Sequence, residues 1–206
     1  MRKYWQIYKM KVAQTLAYRG SVIIYRLGHL LSIGAGIAVW LAAGEGSHLG
    51  GYTKNELVTY YIIAMLLQGW IYWSPMVTMK EEISMGEING KTLTKPISYF
   101  WQKFVEELGW HTVSPIFALI PAVILVMLFH QQFILITSPT TIFLTIVAAF
   151  FGAFVQFGLS YCIGLIAFWF TEIAQISSIM WMGLFIFGGQ VIPVSFFPDS
   201  IRGVVN

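Results

Sequence analysis

Hydrophobic and polar positions fall into long blocks along this chain. Apolar runs cover about residues 21–43, 57–79, 110–129, 141–170 and 173–192. Each is long enough for one membrane crossing, which takes about 20 apolar residues. The intervening polar stretches are turn-rich, as in "GEGSHLGGYTKNE" after the first run, or simply uncharged, as in "HQQFILITSPTT" after the third. Residues 1–19 are patterned differently. Trp5, Tyr8, Val12 and Leu16 share one helical face, although Ile7 and Met10 interrupt the opposite one. That spacing predicts a weakly amphipathic helix lying on the membrane surface. The expected fold class is an all-α membrane protein, one polytopic helical bundle over residues 1–206 with five spans visible.

Composition sharpens this picture. The chain is 57% hydrophobic and only 10% charged, against about 25% charged in ordinary soluble domains. Its few charges are unevenly placed. Residues 80–107, "KEEISMGEINGKTLTKPISYFWQKFVEE", hold nine of the 21 Lys, Arg, Asp and Glu residues. With the N-terminus inside, nine basic residues (Arg2, Lys3, Lys9, Lys11, Arg19, Lys80, Lys91, Lys95, Lys103) lie on the cytoplasmic side and two (Lys54, Arg202) outside. The positive-inside rule then makes the N-terminus and residues 80–107 cytoplasmic. Arg26, near the inner end of the first run, is expected to snorkel to the headgroups. The basic N-terminus leads into an apolar run with no A-x-A-like cleavage site, so it reads as a retained span and not a signal peptide.

The charged stretch contains an amphipathic segment. From Pro96 onward, Ile97, Phe100, Trp101, Phe104, Val105 and Leu108 recur at helical spacing, with Ser98, Gln102, Lys103, Glu106 and Glu107 opposite. Pro96 suits a first helical turn, with Thr94 as a cap. This helix is either an interfacial lead into the third span or part of a docking surface. The glycine-broken "KEEISMGEING" before it favours docking, since it is charged and held between two membrane-anchored helices.

Chemistry is nearly silent. "GEINGKT" imitates a phosphate-binding loop, but Gly86 and Gly90 enclose three residues where G-x-x-x-x-G-K-[ST] needs four, and no strand precedes them. His29, His48, His111 and His130 lie in separate segments without ligand spacing, so no metal site is expected. Asp199 is the only aspartate, which excludes an aspartyl dyad, and no serine sits in G-x-S-x-G. Cys162 is the single cysteine and lies within an apolar run, so there is no disulfide framework. A membrane-embedded enzyme is disfavoured and transport is favoured, with no cofactor bound by this chain.

Three segments resemble the permease subunits of bacterial ATP-binding-cassette (ABC) type-2 exporters, in particular the small one-domain group of about six spans. "AYRGSVIIYRLG" carries Ala17, Tyr18, Arg19 and Gly28 before and within the first span. "ISMGEINGKTLTKPISY" supplies Ile83, Gly86, Glu87, Ile88, Leu93, Lys95, Pro96, Ser98 and Tyr99. "GGQVIPVSFFPDSIRGV" supplies Gly189, Ile192, Pro193, Phe196, Phe197 and Pro198. Gln190 departs from the pattern in being polar.

The resemblance implies an exporter subunit in the bacterial inner membrane, with two permeases, identical or related, above two separate ATP-binding subunits. ATP and Mg would be held by those ATPases; the net charge of +3 is no signal for nucleic acid, since the positions of the basic residues matter more than their sum. Residues 80–107 would hold the coupling helix, with Glu81, Glu82, Ile83, Gly86, Glu87, Leu93 and Pro96 contacting the ATPase. The second and fifth spans would line the path through Met65, Gln68, Trp70, Trp73, Met180, Trp181, Phe185 and Gln190, with ordinary lipid-facing packing as the alternative. Residues 193–206 would lie outside, with a sixth span expected beyond them. A pocket rich in Trp, Phe and Met suits an amphipathic or lipophilic small molecule. The alternative function is a non-transporting membrane scaffold that recruits a soluble partner through residues 80–107.

Overall fold

A computed structural model describes residues 2–42, 52–91, 94, 96–134, 137–170, 172–189 and 193–198. The described residues form eight α-helices: α1 (Arg2–Ala17), α2 (Arg19–Ala42), α3 (Lys54–Ile71), α4 (Pro75–Ser84), α5 (Glu87–Lys91), α6 (Tyr99–Leu128), α7 (Pro139–Ile166) and α8 (Ala174–Phe187). Four stretches, Arg19–Val39, Lys54–Ser84, Tyr99–Leu128 and Pro139–Ile166, are long and apolar enough to cross a membrane. The protein is an all-α polytopic bundle, as its apolar blocks predict.

The helix boundaries correct the sequence reading in three places. The run over 57–79 is two helices. Pro75 has no N–H and pushes the residue before it out of the helical region, and Ser74 sits at φ −135°, ψ 63°. The amphipathic segment and the third span, expected separately, are one helix of 30 residues that starts at Tyr99 after Ser98. Pro96 precedes that helix, and the Thr94 hydroxyl donates to the Gly90 carbonyl instead of capping it. Pro115 and Pro121 remain inside α6, as membrane helices tolerate. The expected span 173–192 is shorter than drawn. α8 has 14 residues, about 21 Å at 1.5 Å per residue, against a hydrocarbon core of about 30 Å. Gly188 caps it, and Gly189 turns the chain at φ 77°.

Among the described residues the packed interior has two parts. Ile37, Val58, Tyr61, Ile62 and Leu125 join α2, α3 and α6. Trp73, Ala153 and Phe157 form the second part, with Phe100, Phe104 and Tyr161 against them. Outside, Phe143, Leu144, Ile146, Phe150, Phe151 and Phe154 are exposed along α7, a surface that suits lipid. Two glycines allow the closest helix approaches. A Cβ at Gly109 would lie 2.9 Å from Lys11 Cβ of α1, and one at Gly164 would lie 3.1 Å from Met76 Cα of α4. Small residues at such crossings substitute for the hydrophobic drive that lipid does not provide.

One end of the bundle gathers α1, α4, α5, the start of α6 and the end of α7. At the other end, the Ile134 N–H donates to Thr59 Oγ1 at 2.8 Å, the Tyr60 hydroxyl donates to the Gly189 carbonyl, and Tyr52 stacks on Phe196. The α1 face that packs inward is Tyr4, Ile7, Tyr8, Lys11, Val12 and Thr15. Trp5 and Leu16, expected on the same side as Tyr8 and Val12, are exposed instead, because α6 and not the membrane plane decides which side is covered.

Candidate functional site

The charged end is built around the break between α3 and α4. A break frees backbone groups, and in an apolar setting each unpaired one costs several kcal/mol. Side chains from α6 and α7 take them up. Glu107 Oε2 accepts the Ser74 N–H at 3.3 Å, and His111 Nε2 lies 3.1 Å from the Tyr72 carbonyl oxygen. Ser160 Oγ, on α7, accepts the Met76 N–H at 3.3 Å. Trp73 drops its ring between Phe104, Phe157 and His111, and its indole N–H donates to the Trp70 carbonyl at 2.8 Å. The break is therefore a fixed, well-supported junction.

Below it, α4 is tied to the start of α6 by a buried cluster. Lys103 is 1% exposed and its Nζ lies 2.6 Å from Glu82 Oε1 and 2.9 Å from Glu106 Oε2. The Tyr99 hydroxyl donates to the other oxygen of Glu82 at 3.0 Å. The helical spacing places Lys103 on the polar side of this segment, and the structure buries that side against α4 at Lys103. Its i, i+3 partner Glu106 was visible in the sequence, but the arrival of Glu82 from α4 was not. Lys80 reaches across to Glu172 in the segment between α7 and α8. That bond, with a second from the Ala174 N–H, holds the Glu172 carboxyl below its ordinary range.

Of the expected coupling residues, Glu81 is exposed at the end of α4, and Ile83 is half-buried. Gly86 turns the chain at φ 68°, a conformation that side chains other than glycine rarely adopt. Glu87 opens α5, whose Ile88 is buried, and Pro96 is exposed before α6. Leu93 lies outside the described residues. Between α1 and this assembly runs a groove of about 800 Å³, with Lys3, Gln6 and Lys11 on one wall and Glu81, Glu82 and Glu87 on the other. Glu82 is already committed to Lys103 and Tyr99.

The expected pathway residues separate. A cleft of about 590 Å³ lies between α3, α7 and α8, mostly apolar, with Gln68, Leu67, Ile71, Tyr72, Gln156 and Leu184 in its wall. Trp181 stacks on Tyr72 with ring centroids 3.8 Å apart. Trp70 and Phe185 are exposed, and Met180 is half-buried. Trp73 lies in the core cluster and not in this cleft. The Met65 side chain and Gln190 lie outside the described residues. Gln156, not singled out from the sequence, is 5% exposed and its amide nitrogen has no hydrogen-bond partner. Its polarity within "AAFFGAFVQFGL" was the available signal.

Arg26 does not snorkel. It is 7% exposed, and its Nη2 donates to Ser114 Oγ at 2.5 Å between α2 and α6. The guanidinium lies against Gly69 of α3 and beside Tyr25, His29, Tyr72 and His111. Intramembrane charges that face a bundle interior in this way pair with polar neighbours.

A family model described as "ABC-2 family transporter protein" matches residues 30–206. No curated protein and no solved structure matches the chain.

Proposed function

Because the chain belongs to the ABC-2 transporter family and is a membrane permease subunit of an ABC transporter, we propose that it serves an exporter of amphipathic or lipophilic molecules. Two such permeases, identical or related, stand over two ATP-binding subunits that hold ATP and Mg. The N-terminus and the charged end face the cytoplasm of a bacterial inner membrane. The observation that carries this reading is the charged-end assembly. α1, α4, α5 and the start of α6 present one groove with basic and acidic walls, joined rigidly to the spans through the α3–α4 junction. An ATPase seated there moves α4, and α4 cannot move without α3, α6 and α7.

The apolar cleft between α3, α7 and α8 supports a lipophilic cargo, since ligand sites of about 300–1,000 Å³ with few polar groups suit drug-sized molecules. The assignment is tested by charge removal at Glu81 and Glu87, which leaves the internal cluster of Glu82 intact. Exposed pairs contribute about 0.2–1 kcal/mol each, so the double Glu81→Ala, Glu87→Ala variant should bind its ATPase up to about thirtyfold more weakly. Co-purification of the ATPase and efflux are measured against Lys54→Ala. Full ATPase retention with full efflux in the double variant would remove these residues from the docking surface. Capture of a partner without ATPase activity would favour the scaffold reading.

A further inference from the structure

We propose that Gln156 is the polar recognition point of the cleft. It meets a hydrogen-bonding head group, such as a hydroxyl or carbonyl, on a neutral amphiphile whose apolar body lies along Leu67, Ile71 and Leu184. The inference rests on the transporter reading above and adds the class of molecule and the residue that reads it.

Gln156 stands near the middle of α7, one turn before Ser160 on the same helix. Ser160 is fully buried and takes the Met76 N–H. Gln156 is buried too, at 5% exposure, yet its amide nitrogen is without a partner although the residue forms part of the cleft wall. A buried amide left unpaired is destabilising, and an apolar residue of the same size would avoid that cost. The position therefore makes physical sense when something else completes the amide's hydrogen bonds. An amide both donates and accepts, so hydroxyl, carbonyl and amide heads all satisfy it.

The head group should be neutral. Among the described residues the one carboxylate at the cleft, Glu56, accepts from the Thr53 N–H at 2.7 Å and from its hydroxyl at 2.9 Å, within the cap of α3. No other described residue in the cleft wall offers a formal charge to an ion. Tyr60 donates to the Gly189 carbonyl and so closes the wall near the far end of α8. What is left among the described residues is a mostly apolar space in which the buried Gln156 amide nitrogen has no partner.

The test uses the purified complex of full-length chain and its ATPase in nanodiscs, without ATP. Two photoreactive probes are compared, a ten-carbon alkyl diazirine bearing a terminal hydroxyl and the same chain ending in a methyl group. Cross-links are mapped by mass spectrometry. The alcohol should label Leu67, Ile71 and Leu184 several-fold more than the alkane, and Gln156→Leu should bring it down to the alkane's level. Gln156→Leu removes an unpaired amide, so its folding is not at risk. Equal labelling by both probes in the natural chain, or an alcohol excess that survives Gln156→Leu, would overturn the proposal. So would a cleft shielded from both probes by a second permease. Efflux is read separately. Intact, Gln156-dependent labelling with no ATP-driven efflux of the alcohol would count against export and leave the site standing.

Discussion

The charged end and the cleft both bury polar groups among apolar helices, but pair them to different extents: the charged end takes up its freed backbone groups and its buried cation, with the Ser74 hydroxyl and one amide oxygen of Gln102 left over. At the α3–α4 junction the Ser74 and Met76 N–H groups are received by Glu107 and Ser160, and the Tyr72 carbonyl faces His111. Beneath the junction Lys103 is held between two carboxylates. In the cleft, on the same α7 that supplies Ser160, Gln156 is left without a partner for its amide nitrogen. Low dielectric raises the stakes in both places. The difference separates polar groups that tie the scaffold together from one that, on the proposal above, meets a ligand. The ion-pair network makes α4 part of the bundle, and the Gln156 amide is where we propose that a ligand binds.

The closed side should break most severely at Lys103. Removing one member of a buried ion pair leaves the others uncompensated and costs about 3–5 kcal/mol. Glu82 and Glu106 keep side-chain exposures of 22% and 23%, so the lower end of that range is expected for Lys103→Ala. Thermal unfolding of the purified complex in one detergent measures the loss. ATPase co-purification should fall with it, because α4 is no longer anchored to α6. A stability within error of the natural chain would mean that the cluster is solvated and that α4 is held by its packing on α7 alone.

A paired substitution sharpens the contrast through its sign. Glu107→Leu leaves the Ser74 N–H without its acceptor, a loss of about 1–3 kcal/mol, and Glu107→Gln, which keeps an oxygen, should lose less. Gln156→Leu should be neutral or stabilising, because an unpaired amide is replaced by a well-packed apolar group. Both are read as shifts in the same thermal transition without added amphiphile. Destabilisation of similar size at the two positions would erase the distinction between closed and open polar sites.

How much of this was legible depended on whether the signal was local. The spans of α2, α6 and α7 followed from apolar run length, which is a property of consecutive residues. The break at Pro75 had a local signal, but Pro115 and Pro121 carry the same signal inside the unbroken α6, and the apolar run across 57–79 concealed which proline would stop its helix. The Gly188–Gly189 stop of α8 was hidden in the same manner. Their own segments mark Lys103 as a polar-face cation and Arg26 as a snorkelling one. Their burial depends on Glu82 and Ser114, which are 21 and 88 residues away in the chain. Gln156 stood out only as a polar residue in an apolar run. That it lacks a partner is a fact about neighbouring helices, and no single-segment pattern contains it.

The smallest expected effect lies at the edge of the closed region, where Lys80 of α4 meets Glu172 in the connection between α7 and α8. Glu172 is fully exposed, so this bond trims the stability of the charged end and does not determine it. Its direction with pH is nonetheless fixed. The Lys80 bond, then the Ala174 N–H, holds the folded carboxyl below its ordinary value of 4.5. A depressed folded pKa means that the unfolded chain takes up its proton first as the solution is acidified. The contribution is therefore fully present above the unfolded pKa and is lost as pH falls from about 4.5 through the lower folded value. Glu172→Gln removes the titrating group. Melting temperatures of the two proteins should differ slightly at neutral pH, with the natural chain higher, and converge in acid. A difference that persists below the folded pKa would assign the bond's effect to the neutral hydrogen bond to Ala174 and not to the charge of Lys80, leaving α4 untied to the α7–α8 connection.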